Sequence, residues 1–217
     1  KESASALAVA IQGTIVPTLD EQGALAGPEV ALEIDGQGIP GVEAAHLGTK
    51  FNYRFDPGSG LEHYHLNGSE KREGEVAPLA HAELVFDPSA QTISGPYGFQ
   101  FDSANEFLAA FLTEAPTIEL KGDGKIEVAL RDGPTIKVEQ SFVGNGRQWE
   151  RFLQELSNVS AIRAEGDFAV TADVATQKVT LEHLNTTILE ADANEPIFRL
   201  TSTTPFVVDP ARAMGAI

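Results

Sequence analysis

Two histidines are the residues of this 217-residue sequence best placed to bind a metal ion. His63 and His65 lie two positions apart, and side chains with that spacing on a β-strand point to the same face. Neutral imidazole is a common ligand of zinc and other transition metals, and His46 or His81 would supply a third ligand. His63 and His65 are therefore the metal-site candidates. A histidine pair on a solvated strand face, with no metal, is the interpretation we favour.

The residues that follow this pair are partly similar to the first metal-binding motif of cupins. Glu70 follows His65 at a comparable spacing, but the glycine expected ahead of the pair stands one place late, at Gly58. No second histidine motif appears after Gly95. A metal-dependent, cupin-like enzyme is accordingly the least favoured of three functional hypotheses.

Other catalytic patterns are missing from the sequence. No Gly-x-Ser-x-Gly nucleophile elbow is present, and the glycines of residues 121–125 stand at a strand connection instead of opening a helix, where they would cradle a phosphate. The sequence therefore predicts a protein that is not an enzyme, with no catalytic residue and no cofactor.

Charge and cysteine content exclude several further classes of site. The chain has 15 Lys and Arg against 32 Asp and Glu, a formal net charge of -17, which repels nucleic acid. Because the acidic residues are scattered singly beside strand positions, we interpret them as a solvated outer face. The absence of cysteine excludes disulfides, zinc-thiolate sites and thiol nucleophiles.

Alternation of apolar and polar residues dominates the chain and predicts β-strands. A period of two places the apolar side chains of each strand on one face and the polar ones on the other, which is typical of antiparallel sheets with one solvated face. Asp, Gly and Pro stand between the alternating runs, as tight turns require. The clearest hairpin is residues 125–138, where Asp132 and Gly133 separate two such runs. We expect a mostly β protein, an antiparallel meander that forms a curved sheet or a sandwich.

Two amphipathic stretches interrupt this pattern and predict short helices. Asp102 or Ser103 can cap a helix at about 103–113, and Asn145 can cap a second at about 146–157. We expect 1–217 to be a single β-rich unit, with a candidate sub-boundary near 114–117, and to be a fragment of a longer chain because it opens without Met or a signal-peptide core.

The second half of the sequence resembles the repeating segments of large AsmA/TamB-like envelope proteins. The resemblance covers residues 118–206 and is carried by the hairpin, the capped stretch and three phrases. These phrases are Gly166-Asp167-Phe168-Ala169-Val170-Thr171-Ala172-Asp173, Lys178-Val179-Thr180-Leu181 and Glu195-Pro196-Ile197-Phe198-Arg199-Leu200-Thr201-Ser202-Thr203-Thr204-Pro205-Phe206. The resemblance implies a long curved sheet in the periplasm, whose concave apolar face carries phospholipid acyl chains between membranes, and no catalytic residues.

The leading hypothesis is a non-enzymatic segment of an envelope protein, located in the periplasm or outside the cell, that binds or transfers lipid along an apolar groove or acts as a scaffold. Its partners would be phospholipid or another apolar ligand and other parts of a longer parent chain, but not nucleic acid. The alternative is a secreted or surface β-sandwich that binds carbohydrate or protein through loops such as residues 58–65. The predicted lipid-contact residues are Phe51, Tyr53, Phe55, Phe99, Phe101, Phe168, Val170, Phe198 and Leu200.

Overall fold

A computed structural model describes residues 8–19, 22–23, 25–37, 45–72, 75–102, 117–131, 133–147, 161–190, 195–202 and 204–208. Twelve β-strands account for almost all of these residues, and the described ranges contain no helix. The strands are β1 (Ala8–Leu19), β2 (Leu25–Gln37), β3 (Leu47–Asp56), β4 (Leu61–Arg72), β5 (Glu75–Asp87), β6 (Thr92–Asp102), β7 (Thr117–Ala129), β8 (Thr135–Arg147), β9 (Ala161–Asp173), β10 (Lys178–Glu190), β11 (Pro196–Ser202) and β12 (Phe206–Val208).

The strands form one antiparallel sheet in which each strand pairs with the next along the chain, from β1 to β11. The short strand β12 pairs with β10 beyond the end of β11, so β11 and β12 share the last strand position of the sheet. The sheet is open, because β1 and β11 are not paired with each other. The predicted antiparallel meander is therefore confirmed. It is a single sheet, since the described residues include no second sheet that would complete a sandwich.

Three connections at one end of the sheet use the same turn chemistry. Each begins with an aspartate whose carboxylate accepts hydrogen bonds from the turn, as when Asp87 Oδ1 accepts from the backbone N of Ser89 at 2.8 Å. Hydrogen bonds from the Ser59 hydroxyl to Asp56, from the Ser89 hydroxyl to Asp87 and from the Thr176 backbone to Asp173 lower the pKa of each carboxyl. Four residues after each aspartate the backbone has positive φ: 74° at Gly60, 55° at Gln91 and 54° at Gln177.

The hairpin predicted for residues 125–138 is confirmed, with Ala129 paired to Thr135 and Lys125 to Glu139. The beginning of the second predicted helix is wrong, because Asn145, Gly146 and Arg147 belong to β8 and pair with both neighbouring strands. Pairing on two sides satisfies the backbone groups of this segment, which outweighs its local capping signal. The rest of that stretch, 148–157, and the whole of 103–113 lie outside the described residues.

One sheet continues across the predicted sub-boundary near 114–117. Strands β6 and β7 pair without a register shift from Thr92 opposite Ala129 to Asp102 opposite Glu119, although residues 114–116 themselves are not described.

Among the described residues, only four apolar side chains are buried, namely Ala45, Leu79, Ile162 and Ala169. No helix within the described ranges has the length and hydropathy needed to cross a bilayer. Cross-strand contacts within one layer therefore provide most of the packing.

Candidate functional site: the apolar face of the sheet

The strand register assigns side chains to the two faces of the sheet, because directly paired residues project on the same side. One row of paired residues crosses all eleven strand positions and is almost wholly apolar or glycine. It consists of Gly13, Leu32, Phe51, Leu66, Ala82, Tyr97, Gly124, Gln140, Phe168, Leu184 and Ser202. We call this row the apolar row and its side of the sheet the apolar face.

The next row projects on the opposite side, which we call the polar face. Each of its members is the immediate sequence neighbour of a member of the apolar row. It consists of Gln12, Glu33, Lys50, Asn67, His81, Gly98, Asp123, Ser141, Asp167, Asn185 and Thr201. The two rows show that the period of two in the sequence becomes a division of the whole sheet into two chemically different faces.

All nine predicted lipid-contact residues lie on the apolar face. Each either belongs to the apolar row or stands an even number of residues from it on the same regular strand segment. Seven are half-buried: Phe51, Tyr53, Phe55, Phe99, Phe101, Phe168 and Val170. Phe198 and Leu200, on the edge strand β11, are 51% and 44% exposed. The register thus brings the nine residues onto one surface that spans the sheet from β3 to β11.

Aromatic rings on this face contact one another across and along strands. The ring of Tyr64 lies 5.3 Å from that of Tyr53 and 6.3 Å from that of Phe51, and the rings of Phe99 and Phe101 stack at 5.6 Å. These separations are those of favourable aromatic pairs. Tyr64 is not among the predicted lipid-contact residues, although it stands in phase with Leu66 on β4.

Two glycines leave room for aromatic rings to lie across the centre of the apolar face. A Cβ atom at Gly122 would lie 2.8 Å from Cζ of Phe99, and a Cβ atom at Gly124 would lie 2.9 Å from Cζ of Tyr97. Each ring therefore covers the backbone of the neighbouring strand. The rings of Phe99 and Tyr97 consequently lie against the sheet, which keeps the centre of the face apolar without a second layer.

Three of the polar side chains on the apolar face are those of Gln140, Tyr64 and Glu70. Gln140 is 5% exposed, and its side-chain amide donates to the backbone oxygen of Asp123 at 3.1 Å. Tyr64 donates a hydrogen bond to Glu62, and this bond, together with burial, raises the pKa of Tyr64 to about 12. Glu70 is fully buried. Each of the three stands an even number of residues from apolar residues of its strand. This spacing can be read from the sequence and places the three side chains on the apolar face.

Six ion pairs lie on the polar face. They are Lys50–Glu33 at 3.7 Å, His65–Glu83 at 3.6 Å, Lys71–Asp35 at 2.6 Å, Lys137–Glu139 at 3.0 Å, Arg163–Glu165 at 2.8 Å and His183–Asp167 at 2.9 Å. Most of these side chains are more than two-fifths exposed. Ion pairs between exposed side chains contribute little to stability, so this face interacts mainly with solvent.

The metal-site candidates His63 and His65 both lie on the polar face, and His81 lies on the same side. Glu70 lies on the opposite face, because its strand has no register shift against β3 between His65 and Glu70. The comparison with a cupin motif is therefore wrong in geometry, since Glu70 cannot share a ligand set with the two histidines. Within the residues that the structure describes, no group of three His, Asp or Glu side chains could hold a metal ion.

A short polar network lies near the last strands of the polar face. His183 Nε2 is 2.9 Å from Asp167 Oδ2, the amide of Asn185 donates to Asp167 Oδ1 at 3.3 Å, and the hydroxyl of Thr201 donates to Asn185 at 3.3 Å. Ser141 is directly opposite Asp167 in the register. The aspartate orients the imidazole, but the network is exposed on an open sheet and does not exclude water.

No protein family model matches the chain, and neither curated proteins nor solved structures give a match. The functional argument therefore depends on the two faces themselves. Of these, only the apolar face is a mainly apolar surface that crosses the whole sheet, and such a surface is solvated unfavourably by water.

Proposed function

We propose that this chain is a non-enzymatic β-sheet segment of an envelope protein, and that its apolar face binds the acyl chains of phospholipid or another apolar ligand for transfer or as a scaffold. The observation that carries the proposal is the register, which places apolar side chains from every strand on one face of a single sheet. A contiguous apolar surface that is not covered by a second layer is typical of a binding site for an apolar partner.

The dimensions of the face suit acyl chains. Most strands have 12 or 13 residues, which corresponds to about 40 Å, and eleven strand positions about 4.8 Å apart span about 48 Å. One leaflet of a bilayer contributes about 15 Å of hydrocarbon. An acyl chain therefore fits on the face in any orientation, and several chains fit side by side.

The chemistry of the face supports the same proposal. Burial of each methylene against apolar side chains contributes about 0.8 kcal/mol, and no directional contact is needed. The acids of the polar face would keep that side of the sheet in water, beside its exposed ion pairs. Location in the cell envelope, in the periplasm or outside the cell, belongs to this proposal through the resemblance to AsmA/TamB-like segments.

Site-specific photo-crosslinking tests the proposal directly. We would replace Phe99 by a photoreactive phenylalanine, and in a matched control replace its neighbour Gln100, which projects from the polar face of the same strand. Each protein would be irradiated with phosphatidylethanolamine vesicles carrying a fluorophore on an acyl chain. Crosslinking from position 99 and none above background from position 100 is expected.

A pair of binding variants provides an independent measurement. Leu200→Lys places a charge on the apolar face, whereas Thr201→Lys places the same charge on the polar face of the same strand. Loss of one leucine contact and burial of a charge should weaken binding of the fluorescent lipid by about tenfold in the first variant and leave it unchanged in the second. Equal crosslinking from positions 99 and 100, or protein purified without detergent that carries no lipid and binds none, would contradict the proposal.

A further inference from the structure

The first strand of the sheet is a long edge strand without charged side chains, and its proline, Pro17, and its register shift, between Thr18 and Leu19, are confined to its last three residues. Strand β1 has 12 residues and pairs only with β2 among the described residues. It contains no Asp, Glu, Lys or Arg, whereas each of strands β2 to β11 contains at least one. Edge strands of soluble proteins are usually short or charged, because alternate residues of an edge offer unpaired N–H and C=O groups to other chains.

The opposite edge of the sheet has these protective features. Strand β11 has seven residues, begins with Pro196 and carries Arg199. The same strand position is then interrupted at Thr204 and Pro205 before the three residues of β12. Proline cannot donate to a β-ladder, and a charged side chain opposes stacking of a further strand. The two edges therefore differ in their capacity to pair.

The apolar face also continues onto β1 with unusually high exposure. Val9, Ile11 and Ile15 are 55%, 65% and 71% exposed, whereas Phe51 and Tyr53 on β3 are half-buried between strands on both sides. One further strand beside β1 would cover one flank of Val9, Ile11 and Ile15 as the strands beside β3 cover Phe51 and Tyr53.

We propose that β1 pairs antiparallel with β1 of a second copy of this chain, around a two-fold axis perpendicular to the sheet. A rotation about that axis reverses the strand direction but keeps each face on its own side, so the two apolar faces join into one of twice the width. Pairing between β1 and β11 of different copies would instead be parallel, because both strands run in the same direction in the meander. Antiparallel pairing continues the pattern of the whole sheet and is the more stable per residue.

The high negative charge of the chain does not oppose this contact strongly. The acids nearest to the edge among the described residues are Glu29, Glu33 and Asp35 on β2. In the proposed dimer, the two β2 strands are three strand spacings apart, about 14 Å, which exceeds the screening length of about 8 Å at physiological ionic strength. The uncharged β1 strands thus separate the acidic parts of the two copies.

The chain contains no cysteine, so single-cysteine variants report this contact without a background. We would introduce one cysteine at a time at positions 10 to 16 and measure disulfide-linked dimer under mild oxidation. The residue on the two-fold axis faces its own copy about 5 Å away between Cα atoms, within disulfide reach. Residues on either side of the axis are more than 7 Å from their own copies. One position should therefore crosslink at least tenfold more than its neighbours, and Thr201→Cys on the opposite edge should not crosslink.

Light scattering during size-exclusion chromatography provides the second measurement, on the full 217-residue chain. The unmodified protein should elute as a concentration-dependent dimer, and Thr14→Lys should raise the dissociation constant at least tenfold. Thr201→Lys, the matched change at the other edge, should leave it unchanged. A protein that is monomeric at all concentrations, or equal crosslinking at all seven positions, would overturn the inference. Because Thr14 lies on the polar face, a monomer that still binds lipid would leave the proposed function intact.

Discussion

The apolar row and the polar row belong to the same strands, and their members are immediate sequence neighbours on every strand, yet the two rows are packed differently. On the apolar row, the ring of Tyr97 lies against the backbone of the neighbouring strand at Gly124, and the side chain of Gln140 is held by two backbone oxygens. On the polar row, contacts are made by the ends of long side chains such as those of Lys50 and Glu33. The difference indicates that the apolar face supplies the close packing of this sheet, although it is not covered by a second sheet among the described residues.

The largest difference in the free energy of unfolding should appear between two variants that carry the same added charge, one on each face. Phe142 lies on the apolar face and is half-buried, whereas its neighbour Ser141 is exposed on the polar face. Phe142→Lys should lower the free energy of unfolding by about 3 kcal/mol, because it removes a large apolar contact and places an ammonium among apolar side chains. Urea denaturation measures this loss as a lower midpoint.

Ser141→Lys is the matched control, because it adds the same charge one residue away. The register places it opposite Asp123 and Asp167, so a lysine there meets carboxylates and water. Its free energy of unfolding should change by less than about 0.5 kcal/mol. Equal losses for the two variants would show that the faces do not differ in packing.

A smaller difference in the free energy of unfolding should follow when one methyl group is added to each face. A Cβ atom at Gly122 on the apolar face would lie 2.6 Å from the backbone oxygen of Ser141, which cannot move independently of its strand. At Gly98 on the polar face, the atoms that a Cβ would meet belong to the side chains of His81 and Asp123, which can turn into solvent. Gly122→Ala should therefore cost about 2 kcal/mol and Gly98→Ala less than about 1 kcal/mol.

Urea denaturation of the two alanine variants, compared at equal m-values, measures this difference. The comparison is well matched, since both glycines are buried and stand on adjacent, directly paired strands. A cost at Gly98 equal to or larger than the cost at Gly122 would indicate that the polar face is packed as tightly as the apolar one.

Most of the division into faces follows from the sequence, because strand periodicity is exact. Once β3 is recognised as a strand, Phe51, Tyr53 and Phe55 must share a face, and tight Asp turns make consecutive strands neighbours. The same rule separates Glu70 from His65, which are five residues apart, and counting residues alone would have rejected the cupin comparison. That comparison was wrong because it matched spacing without strand geometry.

Other features required the register between strands. The β8 segment around Asn145 has local signals for a helix start, and only its pairing with β7 and β9 makes it a strand. The lengths of β1 and β11, and hence the difference between the two edges, likewise depend on where pairing stops. Local propensity cannot specify such non-local contacts, so the open sheet and its unequal edges become visible only in the structure.

The smallest effect is spectroscopic and concerns the three tyrosines of the chain, Tyr53, Tyr64 and Tyr97, all of which lie on the apolar face. Burial raises the pKa of Tyr53 and Tyr97, and the hydrogen bond to Glu62 with burial raises that of Tyr64 to about 12. The folded protein therefore holds these protons more tightly than the unfolded chain. For Tyr64, this stabilisation is complete below pH about 10 and is lost as the pH rises through about 12.

Phenolate absorbance measures this titration, and variants with two tyrosines replaced by phenylalanine isolate the third. In the variant that retains Tyr64, Glu62→Gln should lower the pKa of Tyr64 towards its ordinary value, because an amide is a weaker acceptor and carries no charge. In the variant that retains Tyr97, whose pKa is raised by burial alone, the same substitution should change nothing. Titration of all three tyrosines near pH 10 in the folded protein would mean that water solvates the apolar face as freely as the polar one, and the contrast between the two rows would then be one of composition and not of environment.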